Sequence, residues 1–240
     1  MPSRETPPLR DSLALVSREV VACRACPRLV EWREKVGREK RAAYAHEEYW
    51  ARPVPSFGDP NARVLVVGLA PAAHGGNRTG RIFTGDRSGD FLFASLHRCG
   101  YSNQPNSDRR DDGLELRDMF VAAAVRCAPP ANKPTPAERD TCRPYLEREL
   151  ALLRKVQVIV ALGAFAYDAL WATLRVAEPT RHELPPRRAR FAHLVEQPAG
   201  RYTILGSFHP SQQNTFTGRL TPDMLDAVWT RARALTSPAQ

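Results

Sequence analysis

Long apolar runs are absent from this sequence: no stretch approaches the roughly 20 consecutive apolar residues of a membrane-crossing helix. The opening segment, from Met1 to Ser12, has neither the apolar core nor the small-residue cleavage site of a secretory signal. Both absences lead us to expect a cytoplasmic protein with no membrane partner. Cysteine is scarce as well, and in a reducing cytoplasm the five present are expected as metal ligands, catalytic groups or core residues in preference to disulfides. Acidic residues fall short of basic ones, 26 against 35, which leaves a formal charge of +9. Such a field concentrates a protein on a polyanion, with DNA, RNA or an anionic membrane surface as candidates; an ordinary solvated basic surface is the plain alternative.

What is present in ordinary amounts, 42% hydrophobic and 25% charged residues, argues against wholesale disorder and against a fibrous repeat. With 240 residues, one domain with a well-buried core fits better than two small ones. Residues 1–11 read as a flexible Pro-rich tail and 12–240 as the domain. Four apolar, partly β-branched runs predict buried parallel strands: Val64 to Val67, Phe120 to Val125, Val156 to Leu162 and Tyr202 to Leu205. Helical spacing is predicted over Ser12–Val21, Ser88–Arg98, Ala137–Leu153, Ala164–Leu174 and Thr221–Leu235. The charged stretch 31–52, with Trp32, Tyr44, Tyr49 and Trp50, suits a clamp over the core or, as we read it, an ordinary amphipathic helix. Strands alternating with helices mean an α/β fold. Ligands of open parallel sheets bind beyond the carboxyl ends of the strands, so the loops 68–89, 126–136 and 206–218 should converge on one site. The excursion 176–201 carries Arg181, His182, Arg187, Arg188 and Arg190, which suit phosphate tracking as well as they suit a solvated loop.

Cys23 and Cys26 form a tight pair, while Cys127 and Cys142 lie at a strand end and in an early turn of the next helix. Zinc ribbons use two tight pairs and fit this spacing poorly, although four thiolates hold zinc as well as a cubane cluster. Four unrelated core cysteines are the other alternative. The first long loop is glycine-rich, carries His74, Asn77, Arg78, Arg81 and Asp86, and matches no P-loop spacing. His209-Pro210-Ser211 closes the last strand, where an imidazole could donate to an anion forming on a leaving group.

In combination these features become specific. The run Gly68-Leu69-Ala70-Pro71-Ala72-Ala73-His74-Gly75, the run Arg126-Cys127-Ala128-Pro129-Pro130-Ala131-Asn132-Lys133-Pro134, His209-Pro210-Ser211 and the four cysteines occur in this order. Together they resemble the family 5 (type B) uracil-DNA glycosylases, over about Val20 to Leu235. The resemblance implies a three-layer αβα sandwich around a four-stranded parallel sheet. It implies a [4Fe-4S] cluster on Cys23, Cys26, Cys127 and Cys142, with a structural role. It implies a monomeric, monofunctional enzyme of base excision repair that flips a deaminated base from DNA and hydrolyses its N-glycosidic bond. Phe83 would stack on the base, Asn132 would recognise it and His209 would donate to its oxygen, with Gly68, Ala70, Pro71, Ala72, His74 and Gly75 lining the substrate. Ser211, Gln212, Gln213 and Asn214, with Phe216 beside them, would touch DNA and fill the vacated stack.

The wider superfamily presents Asp or Asn just before the first-motif proline, whereas this chain has Ala70. Asp86 is the nearest candidate to position water or stabilise the sugar cation; its alternative role is to cap the helix starting near Ser88. Ala72 and Ala73 stand where uracil-specific relatives carry a bulky ring, so a roomier pocket that also takes hypoxanthine is expected. A non-catalytic lesion- or abasic-site-binding protein of the same fold is the competing reading. A nucleotide-handling α/β enzyme is a more distant one, and an RNA-binding cluster protein has only charge and cysteines in its favour.

Overall fold

Runs of consecutive buried apolar residues build the centre of the sheet, as their two-sided burial requires. The computed structural model describes residues 11–177 and 183–236. Strands β2 (Val64–Gly68), β3 (Met119–Ala123), β4 (Val158–Leu162) and β6 (Tyr202–Ser207) run parallel in the order β3-β2-β4-β6. This is the predicted four-stranded parallel core, and two short strands extend it. β1 (Phe57–Gly58) pairs antiparallel with β3 at one edge and β5 (Glu196–Ala199) antiparallel with β6 at the other.

Alternation along each strand sends side chains to opposite faces. Val64, Val66, Val121, Val158 and Val160 join one core cluster with Leu92, Phe93 and Leu96 of α4 (Arg87–Arg98) and Leu225, Val228 and Trp229 of α8 (Pro222–Thr236). Leu65, Val67, Phe120, Ile159 and Ile204 join the other with Leu146 and Leu150 of α5 (Pro136–Leu152) and Tyr167, Leu170 and Trp171 of α6 (Ala164–Leu174). The result is three layers, helix, sheet, helix.

Two further helices precede the sheet, α1 (Leu13–Ala22) and α2 (Pro27–Glu39). The reading of 31–52 as one amphipathic helix is corrected here. Lys40 at φ 56° ends α2, and the chain continues as a 3-10 turn (Ala42–Tyr44) and extended backbone. That second half is the clamp: the N–H groups of Trp50 and Ala51 donate to the carbonyls of Arg78 and Asn77, both at 2.9 Å. The first two sheet loops leave in register, because Ala124 N–H donates to Gly68 O (2.9 Å) and Val125 N–H to Leu69 O (3.0 Å) beyond the strand ends. In the 176–201 excursion, Arg188 pairs with Asp168 and lies over the Tyr167 ring. Arg181 and His182 fall outside the described residues.

Candidate active site and cysteine cavity

Two missing side chains shape the site before any functional group enters it. A Cβ on Gly68 would lie 2.8 Å from Cζ of Phe83, and one on Gly75 would lie 1.9 Å from Oδ2 of Asp86. Glycine at both positions lets a ring and a carboxylate settle directly on backbone. Phe83 sits at φ 53°, a strained value for an aromatic residue, and its buried ring lies 5.9 Å from the His209 imidazole. Asp86 is the N-cap of α4: its Oδ1 accepts from Ser88 N (2.9 Å) and Gly89 N (3.0 Å). The capping role is therefore present, and it occupies one oxygen. Burial raises the Asp86 pKa, opposed by those two backbone hydrogen bonds.

Asp86, Ala72, His74, Gly75, Asn132 and Gln212 line one open cleft of ≈ 620 Å³. The clamp residues Arg41, Tyr44 and Glu47 line it as well, with Arg87, Asp90, Asp108 and Arg109. The loop is held by Arg78, which pairs with Glu47, donates to the carbonyls of His74 and Gly85, and lies 3.9 Å over the Tyr44 ring. Arg81 is likewise turned inward, to Asp112, Ser107 and Thr84. His74 Nδ1 meets Tyr49 Oη at 3.1 Å, and burial, then Arg41 and Arg78, lower its pKa. Asn132 is exposed at φ 56° directly after Ala131 at φ 52°. This doubly left-handed turn is braced by Arg28, which donates to Lys133 O and chelates Glu138. Glu138 itself closes the capping box with Thr135 at the start of α5.

His209 does not line that cleft. It lies in a separate hollow of ≈ 250 Å³ with Leu69, Phe165, Phe208, Asn214 and Arg219. The Phe83 ring lies beside it, and Gln212, three residues on, lines the first cleft. Burial pulls the His209 pKa down to about 4, so the imidazole is neutral at physiological pH. Asn214 turns inward and donates from Nδ2 to His209 O (2.8 Å). Gln212, Gln213 and Phe216 of the short helix α7 (Gln212–Phe216) are exposed, as its N-cap Ser211 is in part. Phe216 is 68% exposed, the most of any large hydrophobic residue described, and Arg87 lies 5.5 Å over its ring. Ala70 and Pro71 are turned away from the cleft, Ala70 packing with Leu29, Val125 and Cys127, and Pro71 buried under Gly76.

Cys23, Cys26, Cys127 and Cys142 line one small cavity between α2, the 125–127 segment and α5. Among the described residues no three such groups stand close enough to share a single metal ion. A cluster with iron at each of four corners holds its thiolates farther apart than one ion does. Two buried guanidiniums, Arg33 and Arg126, line the same cavity, and the Nε of each is buried without an acceptor. Burial, opposed by Arg33 at Cys127 and by Arg126 at Cys142 and helped by the neighbouring cysteines, pushes these thiols up to about 11 and about 12. Four sulphurs with unused N–H donors around them fit an anionic group rich in acceptors. Cys99 is apart, against Asp226 O.

Sequence reasoning missed Arg33, the Tyr49–His74 contact and the Arg87–Phe216 contact, since an arginine's burial or a ring's neighbour leaves no local pattern. The uracil DNA glycosylase superfamily model matches residues 55–233. The chain is 50% identical to the type-5 uracil-DNA glycosylase of Mycobacterium leprae, over 93% of this chain and 96% of that protein. It is 52% identical to the type-5 enzyme of Thermus thermophilus, over 90% and 94%, and 46% identical to that of Pyrobaculum aerophilum, over 90% and 89%. Matched by the family model over most of its length and about half identical to these enzymes, this chain belongs to the uracil DNA glycosylase superfamily, alongside its type-5 members.

Proposed function

We propose that this protein is a monofunctional uracil-DNA glycosylase that removes uracil flipped out of DNA and leaves an abasic site. The observation that carries the reading is the divided carboxylate of Asp86, with one oxygen fixed on the α4 backbone and the other over Gly75 at the cleft. The C1′–N1 bond breaks with its electron pair going to uracil, so positive charge grows on the sugar and negative charge on the base. Asp86 Oδ2 orients water toward C1′ and offsets the sugar's charge. His209, neutral, donates an N–H to the uracil oxygen that becomes anionic; a neutral donor does this without burying a cation. Water adds hydroxide to C1′ and its proton ends on the departing uracil. No lysine lines the cleft among the described residues, which suits hydrolysis without a Schiff base.

Phe83 stacks on the base, Asn132 reads its edge, and the loop from Gly68 through Ala72 to Gly75 shapes the recess. Because Ala72 and Ala73 leave room, hypoxanthine is accepted as well. Phe216 fills the vacated stack, with Gln212 and Gln213 on the adjacent phosphates and Arg187 and Arg190 as outlying contacts. Residues 12–240 act as one domain, as a monomer, in the cytoplasm. Cys23, Cys26, Cys127 and Cys142 hold a [4Fe-4S] cluster. When bound, it supplies a rigid crosslink between α2, the Asn132 turn and α5, and takes no part in the hydrolysis.

The test incubates the protein with labelled duplexes carrying one uracil or one hypoxanthine, then alkali to break abasic sites. Cleavage of the uracil strand is expected, with hypoxanthine cleavage supporting the roomier recess. Tight binding without strand breaks would favour the lesion-binding alternative.

A further inference from the structure

Arg33 is 2% exposed, on α2, in the interior of the protein. A buried guanidinium is costly unless an anion faces it, and among the described residues no carboxylate pairs with this one. Its contacts are sulphur and backbone: Nη1 donates to Cys127 Sγ at 2.9 Å and Nη2 to Cys23 O at 3.2 Å. Its Nε is buried with no acceptor, and the residue lines the cysteine cavity. The other end of the residue faces the substrate loop. Asn77, fully buried in α3 (Gly76–Thr79), donates from Nδ2 to Arg33 O at 3.2 Å. Gly75 and His74 of the cleft immediately precede that helix.

We infer that Arg33 is a positioning residue that compensates the negative charge of the four-thiolate cluster through an N–H···S bond to Cys127 and ties the cluster to the substrate loop through Asn77. The inference rests on the cluster reading above. With four thiolates the cluster is an anion, and each added electron makes it more negative. A fixed cation and a hydrogen bond to sulphur favour the reduced form and raise its potential.

The experiment measures iron and acid-labile sulphide content, and then the cluster's reduction potential, in wild type, Arg33→Gln and Arg33→Lys. Wild type lacking iron would sink the cluster reading itself. With wild type loaded, Arg33→Gln is expected at a lower potential than wild type, with Arg33→Lys between the two. A fully loaded Arg33→Gln at the wild-type potential would overturn the inference. If Arg33→Gln carries no cluster, Arg33→Lys decides: loading supports charge compensation, and failure of both contradicts it, since shape and not charge is then what the site requires.

Discussion

At Gly75 an added methyl group would lie 1.9 Å from the free oxygen of Asp86, so the missing side chain gives that oxygen its place at the cleft. Gly75→Ala should therefore lower the single-turnover rate of uracil release about as far as Asp86→Ala does, on the order of 10²-fold. A rate within a few-fold of wild type would show that Oδ2 is not needed there. His209 gives a second prediction at this scale. Its folded pKa of about 4 lies below the ordinary histidine value of 6.5, so between those values the unfolded chain binds a proton that the folded one refuses. Stability then falls as pH drops from about 6.5 to about 4, with no further loss from this group below that. Denaturation midpoints across this range should fall more steeply for wild type than for His209→Gln. Parallel curves would mean that the imidazole is not buried neutral.

Among the elements, α7 is the one whose exposed face has no folding role to account for it. Phe216 leaves a large ring in solvent beside Arg87, the first residue of the helix that Asp86 caps. Phe216→Ala should slow uracil release from duplex DNA by roughly 5- to 150-fold, the worth of about 1–3 kcal/mol of lost stacking, and leave release from single-stranded DNA unchanged. Equal losses on both substrates would remove the wedge role. The four central strands and the helices α1, α4, α5, α6 and α8 were legible in sequence because continuous β-branched runs and 3.6-residue spacing directly encode burial, whereas the five-residue α7 read as part of the loop 206–218. The edge strands were not. β1 is two residues long, and β5 carries Pro198, which reads as loop and is tolerated because the strand lies at an edge. The clamp at 41–52 was obscured by its composition, since aromatic and charged residues at helical density describe both a helix and the packed turn that Lys40 starts.

Across the whole molecule the +9 charge is unevenly spent. Arg63, Arg98, Arg148 and Arg231 are tied to carboxylates away from the cleft, whereas Arg41 and Arg87 line it without an ion pair among the described residues. DNA affinity should fall steeply with salt, and Arg41→Ala and Arg87→Ala should each reduce the slope of log K against log salt by about 1. Arg148→Ala, already neutralised by Asp11 and Glu19, should leave it unchanged. Of the candidate site, the motif residues could be read from sequence, but their division between two hollows could not, because it depends on packing between residues far apart in the chain, such as Phe83 with His209. The central claim is that Asp86 serves the reaction with the oxygen that the helix leaves free. Asp86→Asn tests it, because asparagine caps a helix as well as aspartate does and removes a carboxylate whose burial disfavours its charge. In single-turnover assays on a uracil duplex, with binding and melting temperature measured alongside, Asp86→Asn should bind as wild type does and melt no lower. It should release uracil on the order of 10²-fold more slowly; release at the wild-type rate would contradict the account.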